Sequence, residues 1–197
     1  AELGIGDGDT VVAYDDQGGV VAARLVWMLR VTGREAALLD GGMTAWEGAL
    51  ETAPSARPPA TFTERPWPEE ALASADEAAD PGNIVIDARQ RERYLGAGPD
   101  PIDPRPGHIP GARSLPTREH LSDDGRLLDR DTLRERFAAA GVDGSRPVVS
   151  YCGSGVTACH NLVVLEHAGL GSGRLYAGSW SQWSHSDRPA ATGEEPA

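Results

Sequence analysis

Short apolar runs alternate with amphipathic stretches along the chain, and this order predicts parallel strands connected by helices. Near the amino-terminal end, the predicted elements are a strand at 9–15, a helix at 20–31, a strand at 36–40 and a short helical turn at 41–46. Towards the other end the same order returns as a strand at 146–152, a helix at 156–168, a strand at 173–178 and a short helix at 179–183. The pattern favours an α/β protein with a parallel central sheet flanked by helices.

The two ends of the chain also match residue by residue, which indicates an internal repeat. The matched pairs are Val11 and Val148, Val12 and Val149, Tyr14 and Tyr151, Gly33 and Gly169, Gly41 and Gly178, and Trp46 and Trp183. Only the second copy is preceded by further elements, predicted as a helix at 69–79, a strand at 83–88 and, after a long loop, a helix at 129–140. Because half of an α/β unit leaves a sheet face uncovered, we expect the first copy to be part of a longer protein rather than a truncated domain.

Composition places the boundary between the two copies. Prolines and polar residues are concentrated in 53–67, which is typical of a linker. We therefore predict an incomplete first unit at 1–52, a linker at 53–67 and a complete second unit at 68–197.

The net charge and the types of charged residue exclude several classes of binding partner and of catalytic mechanism. A net charge of −12 argues against nucleic-acid partners and anionic membranes. All 18 basic residues are arginine, which excludes lysine-dependent mechanisms such as Schiff-base catalysis and the Walker phosphate loop. No apolar run reaches the roughly 18 residues of a membrane span, and the first residues lack the pattern of a signal peptide. We therefore expect a soluble, cytoplasmic protein without membrane contact.

The candidate chemistry is concentrated where the predicted strand at 146–152 meets a glycine-rich turn. Cys152 ends this strand, and Gly153 and Gly155 allow backbone conformations that other residues avoid. Backbone amides of residues 154–157, at the start of the next helix, would form an anion-binding cradle and favour a thiolate at Cys152. The alternative is a buried structural cysteine, which is our interpretation of Cys159 inside the helix. Two cysteines at this spacing predict neither a disulfide framework nor a metal site.

The motifs CGSGVTACH and GSWSQW, with DARQRERYLG and GHIPGA upstream, resemble the rhodanese family of sulfurtransferases, most closely its tandem-domain branch. The resemblance implies a rhodanese-like domain, tandemly repeated with the first copy incomplete, and no cofactor. It implies that Cys152 accepts sulfane sulfur as a persulfide. It further implies a cradle formed by the loop after this cysteine, namely Gly153, Ser154, Gly155, Val156 and Thr157. Asp87 would hold that loop, and Arg93 would bind the anionic head of the donor.

Details of the motif bear on the donor and the acceptor. Thiosulfate-type members carry basic residues just after the cysteine, whereas the uncharged Gly153 and Ser154 resemble the 3-mercaptopyruvate branch. A second donor-binding arginine expected in this family is replaced by Ile102, with Arg105 close enough in sequence to substitute for it. The expected acceptor is cyanide, a small thiol or a thioredoxin-like protein. The first copy has Asp15 at the cysteine position and is therefore predicted to shape one wall of the cleft without catalysing transfer.

Three other functions compete with sulfur transfer. A phosphatase of the same fold needs an arginine on the cysteine loop, where this chain has Ala158. A cysteine protease needs a base that no recognisable histidine context supplies. A non-enzymatic binding or regulatory module is the main alternative, because the incomplete first copy could leave the polypeptide inactive. Among the remaining candidates, His108 is interpreted as loop packing, Arg89 as structural, and Trp180 and Trp183 as core or pocket wall.

Overall fold

The computed structural model describes residues 2–53 and 57–194, whose strands form two parallel sheets. The smaller sheet pairs β1 (Val11–Ala13) with β2 (Ala36–Leu38). The larger sheet has the order β4-β3-β5-β6 and contains β3 (Ile84–Asp87), β4 (Arg113–Ser114), β5 (Val148–Tyr151) and β6 (Arg174–Leu175). The helices are α1 (Ala23–Val31), α2 (Arg91–Leu95), α3 (Arg130–Ala139), α4 (Ala158–His167) and α5 (Ser179–Ser184). The predicted α/β class with parallel sheets and flanking helices is confirmed.

The larger sheet is buried on both faces, which explains its continuous apolar strands. Ile84, Ile86 and Val148 pack with α3 and α4 on one face. Val85 and Val149 pack on the other face against a cluster that contains both tryptophans of α5. This two-residue alternation matches the pleat of a strand. The parallel pairing of β3 with β5, with Asp87 opposite Tyr151, brings the ends of the two strands side by side next to Cys152.

The amino-terminal segment, residues 2–53, packs directly on this larger unit. One apolar cluster runs from Val26 and Trp27 of α1 to Cys159 and Leu162 of α4, and it also includes Cys152. On the opposite side of the segment, Val12 and Tyr14 of the β1 region are exposed. Helix α1 therefore lies between the smaller sheet and the helix that begins after the cysteine loop.

Two predicted elements differ from the structure. The predicted helix at 69–79 is wrong: its ends form short 3₁₀ turns, Glu69–Ala71 and Glu77–Ala79. Between these turns Leu72 makes a parallel bridge to Leu175 and the amide of Ala73 donates to the carbonyl of Leu175, because pairing with the edge strand β6 competes with helix formation. The predicted strand at 173–178 is reduced to β6, Arg174–Leu175.

Residues 57–67 of the predicted linker, whose residue 53 is also described, pack against the amino-terminal segment. The Asp7 carboxylate accepts hydrogen bonds from the amide and hydroxyl of Thr63, at 3.0 and 2.6 Å. The Arg34 guanidinium lies 4.0 Å from the ring centroid of Phe62, and Trp67 stacks on Trp27. The rest of that stretch, residues 54–56, lies outside the described residues. No helix in the described ranges is both long and apolar enough to cross a bilayer.

Candidate active site

Cys152 lies at the carboxyl end of β5 and its position is set by the backbone on both sides. Its amide donates to the hydroxyl oxygen of Ser179 at 3.1 Å, and its carbonyl accepts from the amide of Trp180 at 2.9 Å. Ser179 has a φ of 53°, the one left-handed non-glycine residue within the described ranges. Such a backbone is retained where surrounding contacts enforce it, and here the Ser179 hydroxyl also donates to the carbonyl of Tyr176 at 2.9 Å. The two contacts fix the residue that carries the thiol.

The loop of residues 153–157 has the free backbone donors that an anion cradle requires. None of its five amides donates a hydrogen bond to any residue that the structure describes. Gly155 has a φ of +74°, and a Cβ there would lie 2.7 Å from the carbonyl oxygen of Ala177. The turn therefore needs glycine at this position for two reasons, the backbone conformation and the close approach of a neighbouring chain segment.

The carbonyl of Gly155 is held by two donors on the outer side of the loop. Arg24 of α1 donates to it through Nη1 at 2.7 Å, and the Cys159 thiol donates to it at 3.4 Å. Because a trans peptide directs its N–H opposite to its C=O, these contacts orient the following amide, that of Val156. Burial raises the pKa of Cys159 to about 12, so this thiol remains a neutral donor. The structural role predicted for Cys159 agrees with its position.

The corresponding turn of the amino-terminal segment contains a bound anion of its own, the carboxylate of Asp15. This carboxylate accepts four backbone hydrogen bonds, from Gln17 (2.8 Å), Gly19 (2.7 Å), Val21 (2.8 Å) and Ala22 (2.9 Å). Burial alone would raise the pKa of Asp15, but the four amides outweigh it and the pKa lies below its ordinary value. A strand–turn–helix sequence of this kind therefore binds a negative charge through amides alone.

Replacing Asp15 with asparagine is expected to destabilise the protein by about 1–3 kcal/mol near neutral pH, because amides that now bind a carboxylate lose their acceptor. Since the folded pKa is lowered, this carboxylate contributes its full stability above the unfolded pKa of about 3.9, and the contribution is lost as pH falls through the folded pKa. The difference between wild type and variant in urea unfolding should therefore shrink below about pH 4. The neighbouring Asp16 accepts none of these four amide hydrogen bonds, so Asp16→Asn should destabilise the protein less at neutral pH; equal unfolding curves for both variants would contradict the assignment.

A cavity of about 280 Å³ opens above Cys152 and is lined by both segments of the chain. The cysteine loop contributes Cys152, Gly153, Ser154, Val156 and Thr157. The amino-terminal segment contributes Gln17, Val20 and Val21, as expected for a unit that shapes one wall of the cleft. Three arginines complete the wall: Arg89, Arg93 and Arg118. The cavity is therefore suited to a small anion placed against a thiol.

Arg93 faces the loop but is tied to two buried carboxylates. Its Nε and Nη2 each donate to Asp100 at 3.1 Å, and Nη2 also donates to Asp103 at 2.7 Å. Nη1 makes none of these contacts and lies 3.5 Å from where a Cβ of Gly153 would stand. Arg93 therefore has one nitrogen available on the cavity side, and glycine at position 153 leaves it room.

Asp87 does not bond to the cysteine loop directly, contrary to the role that the resemblance implied. Its carboxylate is occupied by Arg89, with four contacts of 2.6–3.1 Å from the backbone amide, Nε and Nη2. Both side chains are buried, and the pKa of Arg89 is raised because the negative charges of Asp87 and Asp100 outweigh the effect of burial. Asp87 pairs across the sheet with Tyr151, the residue before Cys152. It therefore supports the end of β5 rather than the loop.

Arg105 does not replace the missing second arginine. Its three side-chain nitrogens donate to the carbonyls of Trp183, Ser184 and Arg188, each at 2.9 Å, so its role is to close the end of α5. Ile102 is 74% exposed and does not line the cavity. His108 stacks on Tyr94, and Trp180 and Trp183 are fully buried, so their predicted packing roles agree with the structure.

Sequence reasoning missed four residues that shape the site: Gln17, Asp100, Asp103 and Arg118. Arg118 follows β4, and the rule that sites form at the carboxyl ends of parallel strands could have found it. The partners of Arg93 had no comparable signal, because they come from an irregular loop. Within the described ranges, no group of three or more His, Cys, Asp or Glu side chains is arranged to hold a metal ion.

Comparison with known proteins agrees with this geometry. The family model of the rhodanese-like domain matches residues 69–186. A protein of Pseudomonas aeruginosa described as a probable 3-mercaptopyruvate sulfurtransferase is 42% identical over 97% of this chain and 70% of its own length. Bovine thiosulfate sulfurtransferase is 33% identical over 95% of this chain and 67% of its own length.

A solved structure of the Leishmania major 3-mercaptopyruvate sulfurtransferase superimposes with a TM-score of 0.79 and 35% identity, over 93% of this chain and 53% of that one. The chain thus spans about half of the Leishmania protein. Relatives that are named as transferases favour an enzyme over a non-enzymatic module. The chain belongs to the rhodanese family, in the branch that contains the 3-mercaptopyruvate and thiosulfate sulfurtransferases.

Proposed function

We propose that this protein transfers sulfane sulfur through a persulfide on Cys152, with 3-mercaptopyruvate favoured over thiosulfate as the donor. The observation that carries the proposal is the position of Cys152 at a small cavity, beneath a loop whose five amides bind none of the residues described. A persulfide is an anion, and no lysine is present to stabilise it. Backbone amides of the loop can do so instead, as four backbone amides stabilise the carboxylate of Asp15.

The first half-reaction loads the enzyme. The Cys152 thiolate attacks the sulfur of 3-mercaptopyruvate, so that an S–S bond forms and the C–S bond breaks. The electron pair of the broken bond leaves as the enolate of pyruvate, which takes up the proton of the donor thiol. With thiosulfate, attack on the outer sulfur would instead release sulfite. Arg93 would orient the anionic head through Nη1, and Ser154 would donate to the donor oxygen.

The second half-reaction restores the thiolate. A nucleophilic acceptor attacks the terminal sulfur of the persulfide and carries it away, while the electron pair of the S–S bond returns to Cys152. Cyanide, small thiols and thioredoxin-like proteins all supply such a nucleophile. We place the reaction in the cytoplasm.

The choice of donor rests on the start of the loop. Thiosulfate is a dianion, and neither Gly153 nor Ser154 offers it a positive charge. The higher identity to the Pseudomonas relative, 42% against 33% for the bovine thiosulfate enzyme, points the same way.

We also propose a tandem arrangement, with an incomplete non-catalytic unit at 1–52, a linker at 53–67 and the catalytic unit at 68–197. Asp15 supports this division, because its carboxylate occupies the anion site of the first unit. A persulfide therefore forms only in the second unit.

Mass spectrometry after incubation with each donor tests the function. The expected result is a gain of one sulfur atom, mapped to the peptide that contains Cys152 and removed by cyanide, with a higher kcat/KM for 3-mercaptopyruvate than for thiosulfate. If the folded protein is alkylated at Cys152 but gains no sulfur from either donor, the transferase assignment fails. If thiosulfate loads the enzyme faster, the donor assignment is wrong and the reaction type stands.

A further inference from the structure

Three arginines line the cavity, but two of them, Arg89 and Arg93, are paired with buried carboxylates and bring no net positive charge to it. Arg89 and Arg93 form a buried cluster with Asp87, Asp100 and Asp103, whose carboxylates all lie within salt-bridge distance of a guanidinium group. All three carboxylates are at most 2% exposed. Three carboxylates against two guanidinium groups leave this cluster with a negative excess. Arg93 can offer hydrogen-bond geometry to a donor, but the cluster offers no net positive charge.

Arg118 is the remaining arginine of the cavity wall and its environment differs. Its only side-chain contact with the part of the chain that the structure describes is a hydrogen bond of 2.7 Å from Nη2 to Oε1 of Gln17. Glutamine is neutral, and no carboxylate in the described ranges forms a salt bridge with this guanidinium; Asp16, Asp123 and Asp124 line a neighbouring cavity that Arg118 also borders. Arg118 is also exposed, which places it at the mouth of the cavity.

The two positions considered for a second donor-binding arginine contribute no charge to this cavity. Arg105 is bound to three carbonyls at the end of α5, and Ile102 is apolar. Arg24 donates to the carbonyl of Gly155 from outside the loop, and it does not line the cavity. Among the arginines of the cavity wall, Arg118 is therefore the one whose guanidinium forms no salt bridge with the described part of the chain, and an anionic donor meets it on entering the site.

We propose that Arg118, held by Gln17 of the amino-terminal segment, is the residue that attracts and binds the carboxylate of the donor at the cavity mouth. In this division of work, Arg93 orients the anion beside the loop and Arg118 supplies the charge. The inference rests on the proposed sulfur transfer for the identity of the donor. The positive charge at the mouth, however, can be measured whether or not sulfur is transferred.

The first experiment uses two alkylating reagents of similar size, anionic iodoacetate and neutral iodoacetamide, and follows Cys152 by peptide mass. In wild type at low salt, the ratio of the iodoacetate rate to the iodoacetamide rate should exceed that of Arg118→Gln by about threefold to fivefold. Arg118→Lys should keep most of the ratio, and about 0.5 M salt should remove most of the difference. Arg146→Gln is the matched control: it removes the same charge, from an exposed arginine that lies outside the cavity.

The second experiment measures turnover of 3-mercaptopyruvate by the same variants. Arg118→Gln should raise KM about fivefold while kcat changes less than twofold, since a charge at the mouth acts on binding and not on the transfer of sulfur. The proposal would be overturned if Arg118→Gln had the same alkylation ratio as Arg146→Gln, or if Arg118→Gln lost kcat at unchanged KM. If the alkylation ratio is as expected but no sulfur is transferred, the positive charge at Arg118 is confirmed and the proposed function is wrong.

Discussion

Replacing Cys152 with serine is expected to abolish persulfide formation and to lower turnover with either donor at least about a thousandfold. A serine hydroxyl does not ionise near neutral pH and forms no stable bond to sulfane sulfur. The readouts are the intact mass after incubation with the donor and the initial rate of product release. Since serine is close to cysteine in size, the fold should be retained.

Folding of Cys152→Ser is checked by urea unfolding, whose midpoint should stay near that of wild type. The second cysteine provides an internal check, because Cys159 lies inside α4 and its thiol is bonded to the carbonyl of Gly155. Sulfur that still appears on the Cys159 peptide of the folded variant would contradict the assignment of the nucleophile.

Replacing Asp87 with alanine is expected to lower the free energy of unfolding by about 3–5 kcal/mol, the largest stability effect that the site predicts. The change removes the main counter-charge of Arg89, whose side chain is 2% exposed. Asp100 remains, but its carboxylate lies 3.7 Å from Nη1 of Arg89 and is shared with Arg93. The measurement is urea unfolding at neutral pH. The dependence of the free energy of unfolding on urea concentration should be the same in variant and wild type, which shows that both expose similar surface on unfolding.

A matched control for Asp87 is Asp131→Ala, which also breaks an aspartate–arginine pair. Asp131 pairs with Arg134 on the surface of α3, where its side chain is 86% exposed. Solvent screens such a pair, so the midpoint of unfolding should hardly move. If both variants unfold at the same urea concentration, the pair between Asp87 and Arg89 is not the buried support described above.

The sequence predicted the local backbone arrangement around Cys152 better than the ion pairs of the surrounding charged residues. Cys152, its glycine-rich loop and the following helix form one local strand–turn–helix unit, and local order along the chain was enough to place them. The compensation of Arg93 by Asp100 and Asp103 depends on how an irregular loop folds back, which no periodic pattern records. Arg118 had a local signal, since it follows a strand, but its hydrogen bond to Gln17 depends on the amino-terminal segment beside it.

The errors in secondary structure have a related cause. Residues 69–79 have helix-favouring composition, yet the backbone around Leu72 and Ala73 pairs with Leu175 at the edge of the sheet. The resemblance to the family implied that Asp87 holds the loop, but a buried arginine two residues later takes up its oxygens. In both cases a contact formed by tertiary folding determined the structure, and the expectation from the sequence was wrong.

The hydrogen bond from Arg24 to the carbonyl of Gly155 has a consequence for how this protein can change during evolution. The donor is on α1 and the acceptor is on the cysteine loop, so the segment without a cysteine holds one peptide of the reactive turn in place. A mutation that loosens the packing of α1 would disturb sulfur chemistry some distance away. Substitutions in the two segments should therefore not act independently on the geometry of the cysteine loop.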